Sequence, residues 1–194
     1  GGAAANSIPE MVTYEGRVRG RTPEAIADAN MKMDRCLRAG ALAMGAKVSI
    51  TTIPGYLPMV HDQELLSIFR DNAVRLVGQD NFVTHSEERT GGGSTDMGDL
   101  SQIMPVIHPY AGGATGVGHG SDYVVQDYGQ AVINPAKAMA MSVIDLLVGG
   151  AARAAEVMSK NSPAMTKKQY LASQEKRLTE ETYDGGSYRQ RSKS

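Results

Sequence analysis

A histidine set among glycines can reach a ligand that bulkier neighbours would hold off. His119 sits in Gly116-Val117-Gly118-His119-Gly120-Ser121-Asp122, where its imidazole can approach a metal ion or a substrate without steric hindrance. The plainer reading is a surface histidine on a loop. Zinc needs three or four ligands, and no second His, Asp or Glu stands nearby at a recognisable ligand spacing. His61, His85 and His108 are scattered along the chain and read as cap, strand-end or surface groups.

A second glycine cluster, Gly91-Gly92-Gly93-Ser94-Thr95-Asp96, could turn backbone N–H groups and two hydroxyls toward an anion or a developing oxyanion. A plain loop with Asp96 as a cap explains the same residues. It is not a phosphate-binding P-loop, because no Gly-Lys-Ser/Thr follows. Asn6 precedes a turn, where such a side chain normally satisfies local backbone. Arg17 and Arg19 fall on the polar side of an alternating run. They are either solvated and paired with acids such as Glu15 or available to grip a carboxylate through two nitrogens. Glu87-Glu88-Arg89 reads as an exposed loop. Cys36 falls inside a helix and is expected to be buried and inert, and the 11 methionines mostly fall at helical core positions.

Several elements must carry these groups. Met11–Arg19 alternates, with Val12, Tyr14 and Val18 on one side, which predicts a half-buried strand paired to residues 6–9 as a hairpin. Thr22-Pro23-Glu24 predicts a helix start. Ile26, Ala29, Met33, Leu37 and Ala41 continue it toward a stop at Gly40 or Gly45. Residues 47–53 are β-branched and predict a strand, and residues 54–58 a linker. A helix over 61–77 is expected, capped by Asp62, buried through Leu65, Leu66, Phe69, Ala73 and Leu76, and ended by Gly78. Residues 82–85 and 103–108 predict short buried strands. Asn134-Pro135 predicts another capped helix, interrupted at Gly149-Gly150. From Lys160 the aliphatic content collapses and a solvated or partly ordered polar extension is expected. The expected organisation is thus 1–55, 56–159 and 160–194.

Composition narrows the function classes. With 20 basic and 21 acidic side chains in 194 residues, the chain lacks the basic excess that phosphate neutralisation requires, and no nucleic-acid partner is expected. One cysteine excludes an internal disulfide and a multi-cysteine zinc site. No apolar run approaches the length of a membrane span, and residues 1–8 show no signal-peptide pattern. A cytoplasmic setting is therefore the expectation. The chain opens on Gly, which is expected of a processed chain or of part of a longer polypeptide.

Three of these motifs together resemble the dinuclear zinc amidohydrolases of the carboxypeptidase G and aminoacylase type, most closely the aminobenzoyl-glutamate hydrolase branch. Gly93-Ser94-Thr95-Asp96-Met97-Gly98-Asp99-Leu100-Ser101 is similar to that branch's Gly-Ser-Thr-Asp-Val-Gly-Asp-Val-Ser. Gly118-His119 falls where the family has its last metal-binding histidine. Asn6-Ser7-Ile8-Pro9 resembles the family's Asn-Val-Ile-Pro turn, with Arg19 at the place of its lid arginine. The resemblance covers residues 1–150, the C-terminal portion of such an enzyme.

It implies an α/β protein: a partial ferredoxin-like lid and dimerisation domain, then the C-terminal part of a metal-binding α/β catalytic domain. It implies that His119 binds one of two divalent ions, zinc with manganese or cobalt as alternatives. Asn6 and Arg19 would face the scissile amide or the substrate carboxylate, and Gly93, Ser94 and Thr95 would line the pocket. The implied partners are a small amide substrate, the N-terminal part of the same protein and a second copy joined through the lid. The family's His-x-Asp motif, bridging carboxylate and Glu-Glu pair precede the lid and do not occur here. The chain alone is therefore expected to be inactive. A non-catalytic dimerisation or binding module derived from that family is the alternative, and a phosphate cradle in the glycine loops a minor one.

Overall fold

The computed structural model describes residues 4–84 and 94–187. The chain is a mixed α/β protein of two compact units: residues up to Thr51 with those from Glu180 onward, and Thr52–Thr179.

The first unit is built on a long helix, α1 (Pro23–Met44). Thr22 is extended and its hydroxyl accepts the Ala25 N–H at 3.1 Å. Pro23 needs no partner for the N–H it lacks, and Glu24 meets the positive helix end. The carboxyl of Glu24 is held below its ordinary pKa by its own backbone amide and then by the Thr22 hydroxyl. Gly45 ends the helix at φ 62, the left-handed conformation that glycine adopts without a Cβ penalty. The Gly45 N–H donates to the Leu42 carbonyl at 3.2 Å and the Ala46 N–H to the Ala41 carbonyl at 2.9 Å, the paired bonds of a Schellman stop.

Strand β1 (Lys47–Thr52) follows and alternates as a strand covered on one side must. Val48, Ile50 and Thr52 turn inward, while Lys47, Ser49 and Thr51 face out. Its partner is the last strand, β4 (Thr179–Asp184). The hydroxyls of Ser49 and Thr182 meet at 3.1 Å, Lys47 lies 3.6 Å from Asp184, and the Gly185 N–H reaches the Ala46 carbonyl at 2.9 Å. Partner numbers fall as β1 rises, so the pair is antiparallel. Arg38 of α1 adds an ion pair to Glu181 at 2.6 Å.

The expected hairpin over residues 6–19 does not form. Residues 8–20 carry no strand pairing, and Ile8, Met11, Val12 and Tyr14 are exposed. Alternation marks which side of a strand would be buried, but a ladder also needs a neighbouring edge. The described residues provide none for this run.

In the second unit, α2 (Gln63–Val77) starts at Asp62, whose carboxylate accepts the Leu65 N–H at 2.9 Å, and stops at Gly78. It packs against α4 (Asn134–Leu147) around a core of Phe69, Ala73 and Ala138, joined by Leu76, Phe82 and Ile107. Phe69, Ala73 and Leu76 of the expected stripe lie in this core, Ile68 and Asn72 widen the buried side of α2, and Leu65 and Leu66 are half-buried. Asn134 does not cap α4. One wide turn over Gly129–Ile133 precedes α4, and Asp127 caps that turn by accepting the Gln130 N–H at 3.0 Å.

Between α2 and α4 lie a short helix, α3 (Met97–Ser101), and a two-residue antiparallel ladder, β2 (Ala114–Thr115) with β3 (Val124–Val125). The predicted strands at 82–85 and 103–108 are not strands among the described residues. The 103–108 run starts as a turn, with the Ile103 and Met104 N–H groups both donating to the Leu100 carbonyl at 3.0 Å, and is tied to the start of α2 where the Asp62 N–H donates to the Val106 carbonyl at 2.9 Å. After Gly149 and Gly150, both left-handed, come α5 (Ala152–Lys160) and α6 (Lys167–Arg177). α6 opens with a reciprocal capping box between Thr166 and Gln169. The region after Lys160 therefore holds a helix and the partner strand of β1, both built from polar sequence.

Two further expectations are corrected. Cys36 is exposed, because the buried side of α1 reduces to Ala41. Met31, Met44, Met139 and Met158 are also exposed, since their helix faces meet no opposing layer among the described residues.

Candidate functional site

The Ser94–Ser101 motif divides into two halves. Ser94 is exposed and Thr95 half-buried ahead of α3. The Thr95 hydroxyl donates to the Asp96 carboxylate at 3.0 Å, and the Thr95 carbonyl accepts the Gly98 N–H at 3.0 Å. Asp96 caps no amide with its side chain, contrary to the plain-loop reading. Gly93 lies outside the described residues, so its placement in a pocket has no geometry here.

The other half turns inward. Asp99 accepts the Leu57 N–H at 2.9 Å, Ser101 Oγ accepts the Val60 N–H at 3.1 Å, and Gln102 Nε2 donates to the Pro58 carbonyl at 2.8 Å. Gly98 is pressed against the Leu57 carbonyl, leaving no room for a Cβ.

His119 sits at the tip of the loop joining β2 to β3, exposed and at φ 65. Left-handed backbone is unusual for a side-chain-bearing residue, though histidine tolerates it better than most. Asp122 does not turn to the imidazole. Both its carboxylate oxygens take the Val117 N–H at 3.4 Å, which closes the loop on itself.

A cavity of about 350 Å³ opens at the start of α2, lined by His61, Asp62, Glu64, Gln102, Lys160 and Asn161 among others. Burial lowers the His61 pKa, and the nearby His108 lowers it further. His108 itself stacks edge-on against Tyr110, ring centroids 5.2 Å apart. Lys160 bridges Glu156 at 2.7 Å and Glu64 at 2.9 Å. Its pKa is raised by the hydrogen bond to Glu156 and then by that to Glu64. Asn161 Nδ2 donates to the capping Asp62 carboxylate at 2.9 Å. Glu64 and Lys160 are thus paired with each other, while Asp62 is held by the Leu65 amide and Asn161.

Asn6, Arg17 and Arg19 belong to the first unit and are exposed. Ser94, Thr95 and His119 belong to the second. Among the described residues no three His, Cys, Asp or Glu side chains come together to hold a metal ion. His119 can supply one arm of such a cage and no more.

Sequence reasoning passed over Asp99, Ser101 and Gln102 as binding groups, although alternating polar residues beside a buried glycine were the available signal. It also passed over Asn72. That side chain is buried between α2 and α4, where Nδ2 donates to Asp145 at 2.7 Å while Oδ1 has no partner among the described residues.

No protein-family model matches the chain, and no solved structure does. The chain is similar to Xaa-Arg dipeptidase of Mus musculus, 31% identical over 157 residues, covering 76% of this chain and 35% of that protein. It is also similar to Xaa-Arg dipeptidase of Homo sapiens, 29% identical over the same extent. The chain therefore spans about a third of the length of the curated relatives it matches. Over three quarters of its own length, this chain is a relative of peptidase-type hydrolases.

Proposed function

We propose that this chain is part of a metal-dependent amidohydrolase that cleaves an amide bond next to an amino acid carboxylate, and that it is inactive by itself. The similarity to two dipeptidases over 157 residues carries the reading. Their name favours a dipeptide ending in arginine as substrate. The Gly93–Ser101 motif favours an aminobenzoyl-glutamate-like or N-acyl amino acid.

In this reading His119 contributes one ligand to a pair of divalent ions, zinc with manganese or cobalt as alternatives. Such ions would polarise the amide carbonyl and activate water. Arg19 would grip the substrate carboxylate through its guanidinium, and Asn6 would donate to the amide oxygen. Gly93, Ser94 and Thr95 would line the acyl side. The remaining ligands and the general base would come from polypeptide corresponding to the two thirds of the relatives that this chain does not span. A second copy would pair through the unit that contains α1.

One stripe of α4 supports the need for such a partner. Ala136, Ala140, Val143, Ile144 and Leu147 recur at helical spacing and are all exposed, whereas the opposite side already packs on α2.

The test supplies the chain with a polypeptide equivalent to the remainder of the relatives, adds zinc or manganese, and follows hydrolysis of Xaa-Arg dipeptides and of aminobenzoyl-glutamate. Activity that His119→Ala abolishes is the expected result. Activity indifferent to His119→Ala would overturn the metal assignment. A complete, metal-loaded protein that cleaves neither substrate would overturn the reaction.

The second reading is a non-catalytic binding or dimerisation module. The absence of a three-ligand metal cluster among the described residues favours it. A folded dimer of this chain that yields no hydrolysis when supplied with the remaining polypeptide and zinc would favour that reading.

A further inference from the structure

We propose that Asp99, Ser101 and Gln102 are positioning residues, a clasp that seats residues 57–60 on α3. The clasp thereby fixes both the Ser94–Thr95 end of the motif and His61 at its cavity.

Residues 57–60 lie in no helix and no sheet, and Leu57 is only 5% exposed. A buried backbone N–H or carbonyl in such a run needs a partner from elsewhere. Three side chains of one short stretch supply the partners: Asp99 to the Leu57 N–H, Gln102 to the Pro58 carbonyl and Ser101 to the Val60 N–H. The Ser101 hydroxyl donates at the same time to the Gly98 carbonyl at 2.6 Å, so its donor and one acceptor site are both used in a consistent direction. Gly98 allows the approach, since any side chain there would strike the Leu57 carbonyl. A third segment is tied in where the Met165 N–H reaches the Gln102 carbonyl at 3.1 Å.

The clasp has two outputs. At its front the Thr95 carbonyl accepts the Gly98 N–H, so the position of α3 sets that of Thr95. At its back Val60 leads directly into His61 and the capping Asp62. The functional half of the inference rests on the proposed role of Ser94 and Thr95; the clasp itself stands on the geometry.

Residue-resolved amide hydrogen exchange on the 194-residue chain tests it. The Leu57 and Val60 amides are expected to be protected although neither lies in a helix or strand. Asp99→Ala should speed exchange at Leu57 by about 10- to 100-fold, the loss of a hydrogen bond to a charged group, while Ala73 in α2 is unchanged. Asp99→Asn keeps a side-chain oxygen as acceptor and should recover most of the protection, whereas Asp99→Leu, of similar size but without an acceptor, should not. Ser101→Ala should release Val60 and leave Leu57 protected. If Asp99→Ala unfolds the chain, Asp99→Asn and Ser101→Ala carry the test alone. Open-chain exchange at Leu57 and Val60 in the unsubstituted chain would overturn the clasp. So would Asp99→Asn failing to protect Leu57. A protected, rescuable Leu57 together with failure of the hydrolysis assay would leave the clasp standing and remove the substrate-binding role of Ser94 and Thr95.

Discussion

Among single residues, Gly98 and His61 make sharp statements. A methyl group at position 98 meets backbone, which cannot rotate away as a flexible side-chain end would. Gly98→Ala is therefore expected to destabilise the second unit by about 1–3 kcal/mol, the usual cost of overpacking. A urea midpoint lowered at unchanged slope would show it, and an unaltered midpoint would mean that α3 does not touch Leu57. His61 has a pKa lowered first by burial and then by His108. The unfolded chain, with an ordinary imidazole near 6.5, then binds more protons than the folded one just below that pH. Stability is full above pH 6.5 and falls as pH drops toward the depressed folded value. His61→Gln should flatten that part of the stability profile, and an unchanged slope would show that the imidazole is fully hydrated.

Helix ends were the elements most legible in the sequence. Thr22-Pro23, Gly45, Asp62 and Gly78 each announce a terminus through local chemistry, and the structure uses all four. Strands were less legible, because pairing is not local. The 11–19 alternation has no partner edge among the described residues, whereas β4 (Thr-Glu-Glu-Thr-Tyr-Asp) shows no apolar pattern and pairs with β1 through polar contacts. The candidate site was partly legible for the same reason. A glycine and a histidine in a loop can be read as types, but which backbone run Asp99 and Ser101 would meet, some 40 residues earlier in the chain, cannot. The capping reading of α1 makes a direct prediction. Thr22→Ala removes the acceptor for the Ala25 N–H and should cost about 1 kcal/mol, whereas Thr22→Ser should cost far less. Thermal unfolding followed at a first-unit probe such as Tyr183 checks it, and equal losses for both substitutions would place the contribution of Thr22 elsewhere.

For the molecule as a whole the central fact is how few apolar side chains are covered. Among the described residues, buried apolar positions include only one on α4, Ala138, while Val143, Ile144 and Leu147 on the same helix are each more than half exposed. An apolar stripe of this kind is uncommon on a self-sufficient monomer and marks an interaction face. If the stripe meets only solvent in the isolated chain, charge should be tolerated there. Val143→Glu with Leu147→Lys is then expected to change unfolding stability by no more than about 0.5 kcal/mol, the range for open surface. It should also sharply reduce the binding of an apolar fluorescent dye. The same pair of substitutions should abolish assembly with the polypeptide proposed to complete the enzyme, because two charged groups, even paired with each other four residues apart, lose their hydration on an apolar seam at a cost the pair does not repay. Loss of the fold in the isolated variant would show that the stripe is already packed within this chain. Undiminished assembly would move the interface away from α4.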